Sequence, residues 1–98
     1  MNYHYEIIIV NEKAHWIHIN HDYWDESDAF FYLLKHIQKE CNGKIIDVGD
    51  MQFKVLGSVF NLIYQYDDCF GSVVIYEKDE QKESVIAFLK ANFNKLNA

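Results

Sequence analysis

Phe30, Leu33, Leu34, Ile37 and Cys41 stand at i, i+3, i+4, i+7 and i+11, a single apolar stripe on the helical period. A stripe this continuous has to be buried, and the rest of the chain says against what. Most other apolar residues alternate in twos, the period of a strand. The stripe is framed as a helix should be. Asp25 or Ser27 offers an N-cap oxygen, and Asp25, Glu26 and Asp28 sit where the helix dipole favours acids. Lys35, Lys39 and the pair Asn42-Gly43 close the far end. This predicts a helix over about 26–41.

Before it, the first ten residues read as a strand with Tyr3, Tyr5, Ile7 and Ile9 on one face. Asn11-Glu12-Lys13 is a polar connector, and about Ala14–Asn20 a second strand, so the chain opens with a hairpin. After the helix, Lys44–Val48 and Met51–Leu56 flank Gly49-Asp50, which reads as a type II′ turn. Gly57-Ser58 is either another tight turn or a bulge within one longer strand. Val59–Tyr66 and Ser72–Lys78 are further strands, and Ile86, Leu89, Phe93 and Leu96 mark a second helix at about 80–96. The expected fold class is α+β: a mainly antiparallel sheet of five or six strands, order ββαββ(β)βα, with two helices on one face. The length of 98 residues fits one domain, 1–98.

If the helices cover the side carrying Tyr3, Ile7, Ile17, Phe60 and Ile75, the opposite side shows Trp16, His18, Ile63, Val74 and Tyr76 among Asn and Gln. That is more apolar than a solvated sheet requires, and points to a contact surface, with a homodimer as one use of it. A strand register shifted by one residue, or a third layer, would account for the same pattern.

Composition narrows the function. Nine Lys, no Arg, fifteen Asp plus Glu and a net charge of −6 speak against direct nucleic-acid binding, which needs clustered cations. No apolar run reaches the roughly 20 residues of a membrane span, the opening Met1–Glu6 is unlike a signal peptide, and two cysteines suit reduced thiols; a cytoplasmic protein is expected.

No cofactor or metal is expected either. His15, His18 and His21 lie on a segment read as a strand, where His15 and His21 stand about 20 Å apart and His18 faces the other way. There is no Gly-x-Ser-x-Gly elbow and no phosphate-cradling loop. Cys41 ends a helix and Cys69 adjoins Asp67 and Asp68, both unfavourable to a thiolate. The chain is therefore expected not to be an enzyme.

The densest constellation is Asp22, Tyr23, Trp24, Asp25 and Glu26, acids around two large aromatics before the first helix. One reading is a capped helix start with Trp24 as a hydrophobic staple. The other is a partner-binding segment, since Tyr and Trp anchor interfaces and acids steer a basic partner. Asp67 and Asp68, beside Tyr66 and Phe70 in a hairpin tip, form a second acidic spot.

In size, charge and this acidic aromatic segment the chain resembles the small bacterial immunity proteins that neutralise a cognate toxin, such as those of contact-dependent growth inhibition systems and the barstar-type ribonuclease inhibitors. It departs from the barstar type, which has a parallel sheet and more helices. The resemblance implies a mode of action: the inhibitor covers a basic, nuclease-type active cleft and excludes its substrate. The alternative is a self-associating structural or regulatory domain without catalysis.

Overall fold

The computed structural model describes residues 4–21, 26–67 and 71–97, without the side chains of residues 26 and 27. Among these, the elements run β1 (Glu6–Asn11), β2 (Trp16–Asn20), α1 (Glu26–Glu40), β3 (Lys44–Gly49), β4 (Gln52–Leu56), β5 (Asn61–Asp67), β6 (Gly71–Tyr76), a 3-10 turn (Asp79–Gln81) and α2 (Lys82–Leu96). The six strands make one antiparallel sheet in the order β1-β2-β6-β5-β4-β3. Both helices pack on the same face of it, so the expected α+β architecture is the observed one.

The stripe of α1 meets the sheet as its spacing requires. Phe30, Leu33, Leu34 and Ile37 join Val85, Leu89 and Phe93 of α2 over Ile17, Ile19, Phe53, Val55, Leu62, Tyr64, Val74 and Tyr76. Phe30 is the hub. Its ring stacks on Tyr64 at 4.5 Å and makes edge or tilted contacts with Phe31, Phe53 and Tyr66. Two buried tyrosines also tether the helix by their polar ends. Tyr64 Oη donates to the Phe30 carbonyl at 2.8 Å and Tyr5 Oη to that of Ala29 at 2.7 Å. Each thus buries a ring while its hydroxyl stays hydrogen-bonded. Where the two helices end, Lys95 Nζ donates to Glu40 Oε1 at 2.6 Å, and this bond and charge hold the Glu40 carboxyl below its usual range.

Three local expectations change. The β3–β4 turn is one residue later than Gly49-Asp50: Gly49 still pairs with Gln52, and Asp50 (φ 53°) and Met51 (φ 57°) are both left-handed. Positive φ at both central residues is the type I′ pattern rather than II′. A bulge between Asp47 and Gly49 takes up the extra residue. At Gly57-Ser58 the open choice resolves to a turn, with Gly57 N–H donating to the Phe60 carbonyl at 3.1 Å. In β1 a bulge between Ile7 and Ile9 breaks simple alternation: Ile7 and Val10 pack on the core, while Ile9 pairs with His18 on the other face.

Ionisation ties this packing to alkaline stability. Burial pushes the Tyr64 hydroxyl well above its usual range and raises that of Tyr76, while the hydrogen bond to Glu12 raises the Lys82 ammonium. All three hold their protons in the fold at a pH where the unfolded chain sheds them. Their contribution is complete below about pH 10, the ordinary value, and is lost as pH rises through the folded values. Urea midpoints measured from pH 8 to 11 are expected to fall steeply above about pH 10, and Tyr64→Phe to flatten that fall. At pH 8 the same substitution should cost about 0.5–1.5 kcal/mol, the worth of one buried hydrogen bond. An alkaline limb identical in both proteins would contradict the role given to Tyr64.

Candidate functional site

The face of the sheet away from the helices is open, and every strand places an apolar side chain on it. Pairing fixes which ones: Ile9 of β1, Trp16 of β2, Ile75 of β6, Ile63 of β5, Leu56 of β4 and Ile46 of β3. Ile9, Leu56 and Ile46 are 47 %, 39 % and 37 % exposed, and Trp16, Ile75 and Ile63 are half-buried. Among the described residues no element covers this band, and Lys54 stands in it between Ile63 and Ile46.

The polar groups on this face bond to one another. His18 Nδ1 lies 3.2 Å from Asp67 Oδ2, spanning from β2 to β5 across β6, and the imidazole packs edge-on to Trp16 at 5.8 Å. Beneath this bridge Val73 is 1 % exposed. Gln52 Nε2 donates to Gln65 Oε1 at 2.9 Å on the neighbouring pair of strands. Next to Trp16, at the other end of the face, a depression of about 340 Å³ is lined by Ile63, Ile75, Leu56, Asn61, Lys54 and Glu77, with backbone of the flanking residues.

Of the residues expected on this face, Trp16, His18 and Ile63 are there. Val74 and Tyr76 are not. Val74 is opposite Ile17 and Tyr64 and fully buried; Tyr76 is opposite Leu62 and 2 % exposed. Their places are taken by Val73 and Ile75, and Ile75 leaves the helix side where it was expected. The reason is the sequence of β6: Val73-Val74-Ile75-Tyr76 has no polar residue to fix the parity, and both of its faces are covered or half-covered.

The expected acidic site is partly outside the described residues: Asp22, Tyr23, Trp24, Asp25 and Asp68 lie there, as does the side chain of Glu26. Asp67 is the last residue of β5 and bonds His18. The residues bordering the two acidic segments are, however, immediate neighbours. Asn20 pairs with Gly71, Gly71 pairs with Asp67, and the His21 ring packs on Gly71 so closely that an added Cβ would lie 2.7 Å from it. The described borders of both segments thus lie at one end of the sheet. The sequence alone could not give this, because it depends on β6 lying between β2 and β5.

Other chemistry-bearing residues are absorbed by structure. His15 bonds Asp79 Oδ1 at 2.6 Å and the Tyr76 carbonyl at 3.1 Å while stacking on the Tyr76 ring. His36 lies 3.7 Å from Glu40. Among the described residues no three of His, Cys, Asp and Glu come together as metal ligands. Cys41 is buried, and desolvation raises its thiol above the usual range, which disfavours the thiolate. Cys69 lies outside the described residues. Among the described residues no helix is long and apolar enough to cross a membrane. No known protein family, curated protein or solved structure matches the chain.

Proposed function

We propose that this chain is a binding protein of the immunity type, acting without catalysis, which neutralises a basic, nuclease-type toxin by covering its active cleft in the cytoplasm. The observation that carries this reading is the common origin of the two acid-rich segments. Residues 22–26 and 67–68 supply Asp22, Asp25, Glu26, Asp67 and Asp68, with Tyr23 and Trp24 among them, and their borders are paired neighbours at one end of the sheet. A nuclease must hold phosphates with cations, so its cleft is electropositive. Acids beside aromatic anchors complement such a cleft in charge and in hot-spot chemistry. Steering by the net charge of −6 speeds the encounter.

The test starts with tagged protein in host lysate, washed at low and high salt. A stoichiometric basic partner is expected whose nuclease activity disappears on binding and returns when high salt releases it. Asp22→Lys combined with Asp25→Lys should then weaken binding at least about tenfold, or about 1.4 kcal/mol, and flatten its salt dependence. Glu83→Lys, on α2, serves as the remote control and should change little. Unchanged binding by a folded Asp22/Asp25 double variant, or a partner whose activity survives binding, would overturn the proposal.

A further inference from the structure

We infer that the open sheet face is the contact between two copies of this chain, with Trp16 of each copy seated in the depression beside Ile63 and Ile75 of the other. Four features of the face point to a second copy rather than to another occupant. The apolar band draws on all six strands, which leaves a wide flat surface suited to a second sheet in a helix–sheet–sheet–helix stack. Two pairs of its polar groups already bond one another, Gln52 with Gln65 and, toward one end, His18 with Asp67, which lowers the cost of covering them. Its charges, among them Lys54 and Lys44 on one side and Glu6, Glu77 and the His18-bonded Asp67 on the other, are of both signs; the face has no single-sign field to attract a basic or an acidic partner.

The fourth feature is shape. A two-fold contact uses the same patch twice, so a projection and the recess it fills must both lie on that patch, on opposite sides of the axis. Trp16 is on β2, and the recess is over β5 between β4 and β6. An axis running along β6, the strand between them, carries β2 of one copy over β5 of the other and brings Ile75 against its counterpart. About 340 Å³ accommodates an indole ring. Size sets the strength. About that axis β1 lies over β4 and β3 has no counterpart, so four strand spacings of about 4.8 Å and strands about 18 Å long give a footprint of roughly 350 Å². This is below the roughly 600–1,000 Å² per partner that stable complexes bury, so a weak dimer with a Kd of tens to hundreds of micromolar is expected. The contact is centred at the Trp16 end of the face, and a partner held by Asp67 at the other end would border it.

Sedimentation equilibrium from about 1 to about 500 μM should show a monomer–dimer equilibrium with a Kd of tens to hundreds of micromolar. Trp16→Lys and Ile63→Glu, both at half-buried positions of the open face, should each give a monomer with an unchanged far-ultraviolet spectrum. Mixed one to one, the two variants should pair again, because one Trp16 still meets an intact Ile63 and the introduced charges attract. A wild-type protein that stays monomeric throughout, a dimer that Trp16→Lys leaves intact, or two monomeric variants that fail to pair on mixing would each overturn the inference. In a Trp24→Phe background the emission of Trp16 should shift to the blue as the dimer forms; constant emission across that transition would place the contact elsewhere.

Discussion

Phe30→Ala is expected to lower the free energy of unfolding by about 3–5 kcal/mol, the range for deleting a buried aromatic ring. The ring is fully buried and stands between α1 and the sheet, stacked on Tyr64 and in contact with Phe31, Phe53 and Tyr66. Its loss leaves a cavity that none of these neighbours can fill by changing rotamer alone, since they brace one another. A domain of this size has only about 5–15 kcal/mol of stability in total. Urea unfolding followed by circular dichroism should therefore place the midpoint of the variant far below that of the wild type, or show it largely unfolded in buffer. Phe30→Leu, which keeps most of the apolar volume, should recover well over half of the loss. A cost under about 1 kcal/mol for Phe30→Ala would mean that the core closes around the gap, contrary to the packing described.

Gly71→Ala is the second large effect, and here two causes add. Gly71 has φ +139°, a conformation that side chains rarely adopt, and its missing Cβ is where the ring of His21 lies, 2.7 Å from the added atom. His21 is 2 % exposed and cannot swing aside into solvent. Backbone strain of about 1–3 kcal/mol and overpacking of about 1–3 kcal/mol give an expected cost of about 2–6 kcal/mol. Gly49→Ala separates the two causes, because Gly49 also has positive φ (+94°) but nothing within 4 Å of its added Cβ. Thermal denaturation of both variants should show Gly71→Ala as clearly the worse. Equal losses would remove the steric contact from the account. Gly71 also joins Asn20 to Asp67, the described borders of both acidic segments.

What the sequence reveals, it reveals where one periodicity is unopposed. The helix α1 is read to within a residue because its stripe keeps the helical period throughout and charged residues frame both ends. In β5 the alternation Leu62, Tyr64 against Asn61, Gln65 assigns both faces correctly. In β6 it fails: an apolar run has no parity, and only pairing with Ile17 and Tyr64 decides that Val74 faces the helices. The bulges in β1 and β3 are equally hidden, since an extra residue is defined by what stands opposite. For the candidate site, Trp16, His18 and Ile63 were legible as members of one face. The six-strand extent of the apolar band and the meeting of the acidic segments were not, because both follow from strand order. That order is set by contacts between residues far apart in the chain.

Past the end of α2, the side chain of Asn97 pairs with the backbone of Tyr5 just before β1, accepting from its N–H at 2.9 Å and donating to its carbonyl at 2.8 Å. A primary amide offers the same donor and acceptor as a peptide group, so Asn97 takes up the position that an incoming strand would use. With the bulge in β1, this disfavours strand addition at one margin of the sheet, while β3 leaves the other margin unpaired among the described residues. Growth of a fibre by strand addition needs two sticky margins, one to receive and one to offer. A sheet with only one can join a single neighbour, margin to like margin, and then has nothing left to extend. In a chain that is half apolar, one asparagine side chain and one extra residue in a strand thus work against polymerisation through the sheet.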